Sequence, residues 1–431
     1  RSSDLTMAMS QQDSQDLTRV GPGTVMGEFM RQFWVPALMS SELVADGDPV
    51  RLMILSERLV AFRDGAGRVG IMDHRCPHRC ASLFLGRNEE GGLRCVYHGW
   101  KFGVNGELLD IPSEPANSRM RCNPNLRANA YPVHEACGIV WAYMGPKESI
   151  PPLPEMEFMG LPAEHVYASK RLMKCNYMQA LEGSIDTAHL TFLHRSMSPM
   201  EKDVFNVGNL QEYGDADGAP TFFCEDTDYG MLIAARRNGN EDTYYWRITQ
   251  WLMPVAVLVP TAQNLVCRAN LFVPIDDENC WWYRVRYHGG RPLSADELME
   301  YKGGSLDYAK PVPGTYIPEG NRANDYLIDR TLQKTSSFTG IPSAQLQDLA
   351  MQESQGTIVD RTKEHLGSSD AAIVKCRRRL IESARQFAKD GTIPVAASRG
   401  HLYKRRAVAI LLPKEMTAHD AGTHPATLPT T

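Results

Sequence analysis

No stretch of this chain stays apolar for long. The longest such run, Trp251 to Pro260, covers ten residues and holds two prolines, whereas a helix that spans a bilayer needs about 20 predominantly apolar residues. The expectation is a protein with no membrane association and a cytoplasmic location. Neither sign of charge dominates: 46 Lys and Arg stand against 51 Asp and Glu, a formal net charge of −5. A chain so close to balance has no global electrostatic reason to bind nucleic acid or an anionic membrane. Cysteine is sparse, ten in 431 residues, and no secretory apolar region is found at the start. That argues against a disulfide-stapled secreted scaffold and for reduced thiols. In a reducing compartment, Cys beside His at short spacing points to metal ligation before disulfides. The first eight or so residues are read as a vector-derived leader ahead of a native start near Met9, and no internal repeat is visible.

What is present suffices for two or three domains, at roughly 100–200 residues per domain. Residues 50–63 are rich in β-branched and apolar types and lead into a hairpin turn at Asp64–Gly67. Short apolar runs separated by Gly and Pro continue to Ile139–Tyr143, the texture of a small all-β domain. Four prolines between 146 and 154 suggest a linker. The division expected is an N-terminal segment 1–40, a β domain 41–147 and a larger α+β domain 148–431. In the last of these, 171–194 reads as a helix, and strands are expected at 221–236, 243–251, 263–273 and 280–288. Residues 311–326 read as a loop able to cover a pocket. Two helices follow, one capped by Ser343 and one starting at Ser369, and the tail from 417 is expected to fray.

Two clusters carry chemistry. Cys76-Pro-His78 and Cys95-Val-Tyr-His98 each pair one thiolate with one imidazole, in loops separated by sixteen residues. Four such donors suit tetrahedral zinc or a Rieske [2Fe–2S] centre, with two Cys on one iron and two His on the other. A zinc finger groups its Cys and its His separately; one of each per loop favours the dinuclear iron centre. Cys80 has no partner in the second loop and reads as a buried free thiol. The second cluster is Glu182-x3-Asp186-x2-His189-x4-His194. On a helix Asp186 and His189 share a face, and two His with one carboxylate make the facial triad of non-haem Fe(II) oxygenases. Asp348 is the first choice for that carboxylate, with Glu353 and Asp360 as competitors.

These motifs, in this order, resemble those of the catalytic α-subunits of Rieske non-haem iron aromatic-ring-hydroxylating oxygenases. The similarity runs from about residue 20 to 400, and the stretches CNYMQALEGSIDTAHLTFLH and QDLAMQESQGTIVDRTKEHLGSSD resemble the members that act on phthalate-like acids. The resemblance implies that Cys76, His78, Cys95 and His98 hold the cluster and that His189, His194 and Asp348 bind the mononuclear iron. It implies that Asp186 bridges to His98 of a neighbouring subunit for electron transfer. A helix-grip catalytic domain, an antiparallel sheet around a long helix, is implied as well. So are a homotrimer or stacked trimers and a separate flavin- and [2Fe–2S]-containing reductase. The activity implied is cis-dihydroxylation by O₂ of an aromatic dicarboxylate such as phthalate; monooxygenation or O-demethylation of a related acid is the alternative.

A dianionic substrate in a dry pocket needs cations, Arg above all. Strand alternation sets Arg247 on one face with Tyr245, Thr249 and Trp251, and Arg284 and Arg286 on one face with Trp282. Arg247 is the first candidate, Arg284 and Arg286 the next, and Ser184 a hydrogen-bonding one. The basic runs 377–379 and 404–406 read as solvated faces, or else as a docking patch for an acidic reductase.

Overall fold

The computed structural model describes residues 9–195, 210–304 and 307–429. Strands β1 (Trp34–Met39), β2 (Val50–Ile54), β3 (Glu57–Arg63) and β4 (Val69–Asp73) open the chain after two short helices, α1 (Gln11–Thr18) and α2 (Val25–Met30). Residues 50–63 are not one strand. Leu55 and Ser56 take φ of 50° and 62° and make a two-residue hairpin that pairs Ile54 with Glu57. The turn expected at Asp64–Gly67 does join β3 to β4, with the Asp64 carboxylate accepting from the Ala66 and Arg68 N–H groups. Next come β5 (Arg87–Glu89), β6 (Gly92–Arg94), β7 (Lys101–Phe102) and β8 (Leu108–Asp110), a second sheet in that order. β9 (Ala130–Tyr131) extends the β2–β3–β4 sheet. These two sheets enclose a core of Val60, Phe62, Leu83, Leu93, Trp100 and Phe102. A third sheet, β1 with β11 (Ile139–Tyr143) and β10 (Val133–Ala136), faces the other way, and its Leu38, Val140 and Trp141 share a core with Tyr177 and Leu271.

The larger half is built on one antiparallel sheet. Its strands are β12 (Val166–Met173), β13 (Thr221–Thr227), β14 (Gly230–Asn238), β15 (Thr243–Leu252), β16 (Ala256–Val259), β17 (Cys267–Pro274) and β18 (Cys280–Tyr287). They run in the order β12-β18-β17-β16-β15-β14-β13. β19 (Val408–Pro413) pairs with the stretch of β15 that β16 leaves open. The tail therefore does not fray through the described residues: after β19, Thr417 and Asp420 cap a short helix whose Ala421 is fully buried.

Three of the helices of this half position the site: α3 (Tyr177–Ile185), α4 (Ala344–Ser354) and α5 (Ala371–Asp390). α3 packs on β16 and β17, with α4 and α5 against it. The helix expected over 171–194 is shorter at both ends. Residues 171–173 finish β12, and the Asn176 side chain caps the helix by accepting from the Met178 N–H. At the far end Asp186 turns extended and its carboxylate accepts from the Ala188 N–H at 2.7 Å. That local side-chain bond offers the backbone an alternative to continuing the helix. Ser343 caps α4 as expected. α5 buries Ile373, Leu380, Ile381 and Ala384 on one stripe and ends at Gly391 in the left-handed region. Residues 311–321 form a loop that runs into a 3₁₀ segment at Arg322–Leu327, and none of 311–326 lines the cavity below; Tyr316 and Tyr326 pack instead beside Trp281 and Glu353. Among the described residues no helix is long and apolar enough to cross a membrane.

Candidate functional site: two metal centres and an arginine-rich pocket

The two Cys/His loops lie at the end of the small β domain. Cys76 N–H donates to Ala81 O and Cys80 N–H returns to Cys76 O; in the second loop Cys95 N–H donates to Trp100 O and Gly99 N–H to Cys95 O. Each loop is thus closed by its own main chain. Gly99 takes φ 76°, and a Cβ there would stand 2.5 Å from Pro112. The Cys76 and Cys95 thiols are both buried, and burial pushes the Cys76 thiol up to about 11. The His78 and His98 rings stand 4.4 Å apart, and His78 stacks on Trp100. No three of these four donors lie within 4.8 Å of one another. Sulfur pairs with sulfur and imidazole with imidazole, which fits two irons and not one tetrahedral zinc. Cys80 corrects the sequence expectation: it is exposed, at φ 58°, on the loop's outer side.

The second set comes from three places. His189 opens a single 3₁₀ turn beyond α3, His194 follows it, and Asp348 sits mid-way along α4. Their ligating atoms lie within 4.8 Å of one another. His194 Nε2 is 3.2 Å and His189 Nε2 3.6 Å from the same Asp348 oxygen. Both imidazoles turn Nε2 inward because their other nitrogens are engaged. His194 Nδ1 is 2.7 Å from Gln347 Oε1, and Gln347 is itself fixed by donating to Ile341 O. His189 Nδ1 is 3.4 Å from Asp186. Burial acts to raise the Asp186 pKa, but the hydrogen bonds from His189 and from the Ala188 and His189 N–H groups hold it below the ordinary value. The competitors for the carboxylate are engaged elsewhere. Glu353 accepts from Lys174 N–H and Tyr326 Oη, and Asp360 caps the 3₁₀ turn Arg361–Lys363. Glu182 is a buried counter-ion to Arg361 and Arg377.

Beside this triad opens a cavity of about 140 Å³, whose wall is the sheet. Ser184, Arg247, Arg284 and Arg286 all line it, but in different states. Ser184 Oγ accepts from Asn270. Arg247 donates only to neutral groups, Thr187 Oγ1 and Tyr245 Oη. Arg284 and Arg286 are both held by the Asp307 carboxylate, a residue that no sequence pattern singles out. Arg268, on the same wall, also escapes the sequence reading. Its place opposite Arg286 depends on the register of β17 against β18, which alternation alone does not reveal. The basic runs are solvated only in part, at the exposed Arg378 and Lys404. Arg377 is buried against Glu182 and Glu364, Arg379 pairs with Asp226, and Arg406 with Glu157.

Residues 33–131 match the Rieske [2Fe-2S] domain, and residues 142–424 match the family described as LigXa C-terminal domain like. The chain is 41% identical to the 3-chlorobenzoate-3,4-dioxygenase oxygenase subunit of Comamonas testosteroni, over 91% of this chain and 92% of that protein. It is 39% identical to the phthalate 4,5-dioxygenase oxygenase subunit of Pseudomonas putida, over 86% and 85%. Among solved structures, dicamba monooxygenase bound to dicamba superposes with a TM-score of 0.58 at 19% identity, over 84% of this chain and 99% of that one, a likeness of fold. Domain matches, donor sets and relatives agree: the chain belongs to the Rieske non-haem iron oxygenases, as an oxygenase subunit that carries a [2Fe–2S] cluster and a mononuclear iron.

Proposed function

We propose that the chain dihydroxylates an aromatic acid, a dicarboxylate such as phthalate, adding both atoms of O₂ with two electrons and two protons to give a cis-dihydrodiol. The observation that carries this reading is a wall of four arginines, Arg247, Arg268, Arg284 and Arg286, with one carboxylate, Asp307, among them, facing the His189/His194/Asp348 triad. A buried surplus of guanidinium charge selects an anion, and planar forks suit carboxylates. In this reading Cys76, Cys95, His78 and His98 hold the cluster, and His189, His194 and Asp348 hold the single iron on one side, leaving the other open to the cavity. When bound, these groups supply stored electrons and O₂ activation.

The protein's own part is positional. Gln347 keeps His194 with Nε2 toward the metal, and Asp186 does the same for His189. Arg247, with the Tyr245 ring beside it, anchors a substrate carboxylate so that the ring lies over the triad. Asp186 has its second role at a subunit boundary, meeting His98 of a neighbouring copy in a trimer or stacked trimers. A flavin- and [2Fe–2S]-containing reductase supplies the electrons. The test is turnover of phthalate under ¹⁸O₂ with a reductase: two labelled atoms in one product are expected. One labelled atom assigns a monooxygenase, and formaldehyde released from a methoxylated acid assigns an O-demethylase.

A further inference from the structure

In the sheet wall, β17 and β18 pair so that Arg268 stands directly opposite Arg286, and Asn270 opposite Arg284. Like charges in cross-strand register repel, and here a third guanidinium is the diagonal neighbour. One carboxylate serves all three. Asp307 gives one oxygen to Arg284 at 3.0 Å and the other to Arg286, while Arg284 also takes the Asp307 main-chain carbonyl at 2.7 Å. Burial alone would raise the Asp307 pKa; Arg284, Arg286 and Arg268 hold it well below the carboxylate range. Both of its oxygens are thereby committed. Arg268 makes no hydrogen bond or ion pair among the described residues, although it lines the cavity.

The wall therefore presents two guanidiniums without a carboxylate of their own, Arg247 on β15 and Arg268 on β17. Arg284 and Arg286 are not equivalent to them. Asp307 engages Arg284 Nη1 and Nη2 and Arg286 Nη2, and Arg284 Nε and Arg286 Nη1 are sealed from solvent, which leaves Arg286 Nε as the one nitrogen of the pair in neither state. β16 lies between β15 and β17 but pairs with β15 only at Gln250–Leu252, so Arg268 stands opposite Val259 of β16 while Arg247 lies further along β15, where β19 is its neighbour. The two arginines come from separated strands and line one cavity.

We propose that Arg268 binds the second carboxylate of a diacid and sets the preference for diacids over monoacids, while Asp307 withdraws Arg284 and Arg286 from substrate. This rests on the aromatic-acid reading above. The experiment is calorimetric titration of the purified oxygenase with phthalate and with benzoate, for the wild type and for Arg268→Gln, Arg268→Lys and Arg247→Gln, each checked for cluster absorption and circular dichroism. Loss of a charge-assisted pair gives about a 10- to 100-fold loss of affinity. Arg268→Gln is expected to lose that much for phthalate and little for benzoate, Arg268→Lys to recover part of it, and Arg247→Gln to weaken both acids. Arg268→Gln that weakens both acids alike, or leaves phthalate unchanged, overturns the inference. Wild-type protein that binds the two acids equally, with Arg247→Gln weakening both, overturns it too but leaves the aromatic-acid reading standing. Wild-type protein that binds neither acid removes that reading as well.

Discussion

His194 turns its Nε2 toward Asp348, the proposed metal position, because Gln347 accepts at Nδ1 and is pinned in turn by donating to Ile341 O. Such outer partners typically account for 10- to 100-fold in metal affinity. Gln347→Leu is expected to lower retention of the mononuclear iron by about that factor, read as iron per chain after dialysis against a weak chelator, with cluster absorption unchanged. Gln347 illustrates what a sequence leaves illegible. The Cys/His and His/His spacings stand out because each lies within one loop or turn, so their chemistry shows in a few consecutive letters. Gln347, Asp307 and Arg268 matter through neighbours 18 or more residues away. Asp307 follows two residues outside the described set, in a stretch with no periodicity to mark it. Cys80 shows the converse: a hydrophobic-looking thiol beside a ligand loop faces solvent, because the loop's φ 58° turn swings it outward.

Between elements, α3 is the hub. Its Glu182 accepts from Arg377 of α5 and from Arg361, and Arg377 is shared with Glu364. Removing one member of a buried ion network leaves the rest uncompensated, which costs about 3–5 kcal/mol. Glu182→Gln should lower the melting temperature of the catalytic half, as seen by calorimetry. Burial acts to raise the Glu182 pKa, and Arg361 and Arg377 more than reverse this, so it lies below its ordinary 4.5. A depressed carboxylate stabilises the fold above its unfolded value and loses that contribution as the pH falls through the folded one. The gap in melting temperature between wild type and Glu182→Gln should be full at pH 7 and shrink as the pH drops below 4.5.

The neighbouring Gly183 tests how α3 meets α4. A Cβ there would lie 1.9 Å from Gln352 Nε2, a side chain 6% exposed. Helix propensity favours Ala over Gly by about 1 kcal/mol, but the overlap decides the sign. Gly183→Ala should shift α4 and reduce iron bound by His189, His194 and Asp348, and Gln352→Ala added to it should restore binding. Independent effects of the two changes, measured as a double-mutant cycle on iron content, would refute the contact. The long helix expected over 171–194 hid this geometry: amphipathic spacing was legible, but the Asp186 side chain that ends α3 acts through a single local hydrogen bond.

At the scale of the whole molecule, the two donor sets belong to separate parts of the fold, loops of the small β domain and helical segments of the larger half, yet share one scaffold. α1 and α2 belong with the catalytic half: Arg385 of α5 pairs with Asp13 and Asp16, and Phe29 lies 6.4 Å from Phe387. β1 and β11 join the same core. The cluster loops themselves pack in the other core, with Cys76 and Cys95 among its members. Asp348→Ala should therefore yield protein with the full visible absorption and electron spin resonance of the cluster but no mononuclear iron. Loss of both signals together would show that the centres are not held independently.

The pairing of β19 with β15 has a consequence for synthesis. Arg247 faces the cavity from a strand whose edge is completed by Ala409, and Ala409 also lines that cavity. Every donor and every wall arginine has left the ribosome before residue 408 is made, yet the wall closes only when that late strand arrives. A product cut short near residue 400 would therefore lack the strand that completes the cavity wall beside Arg247.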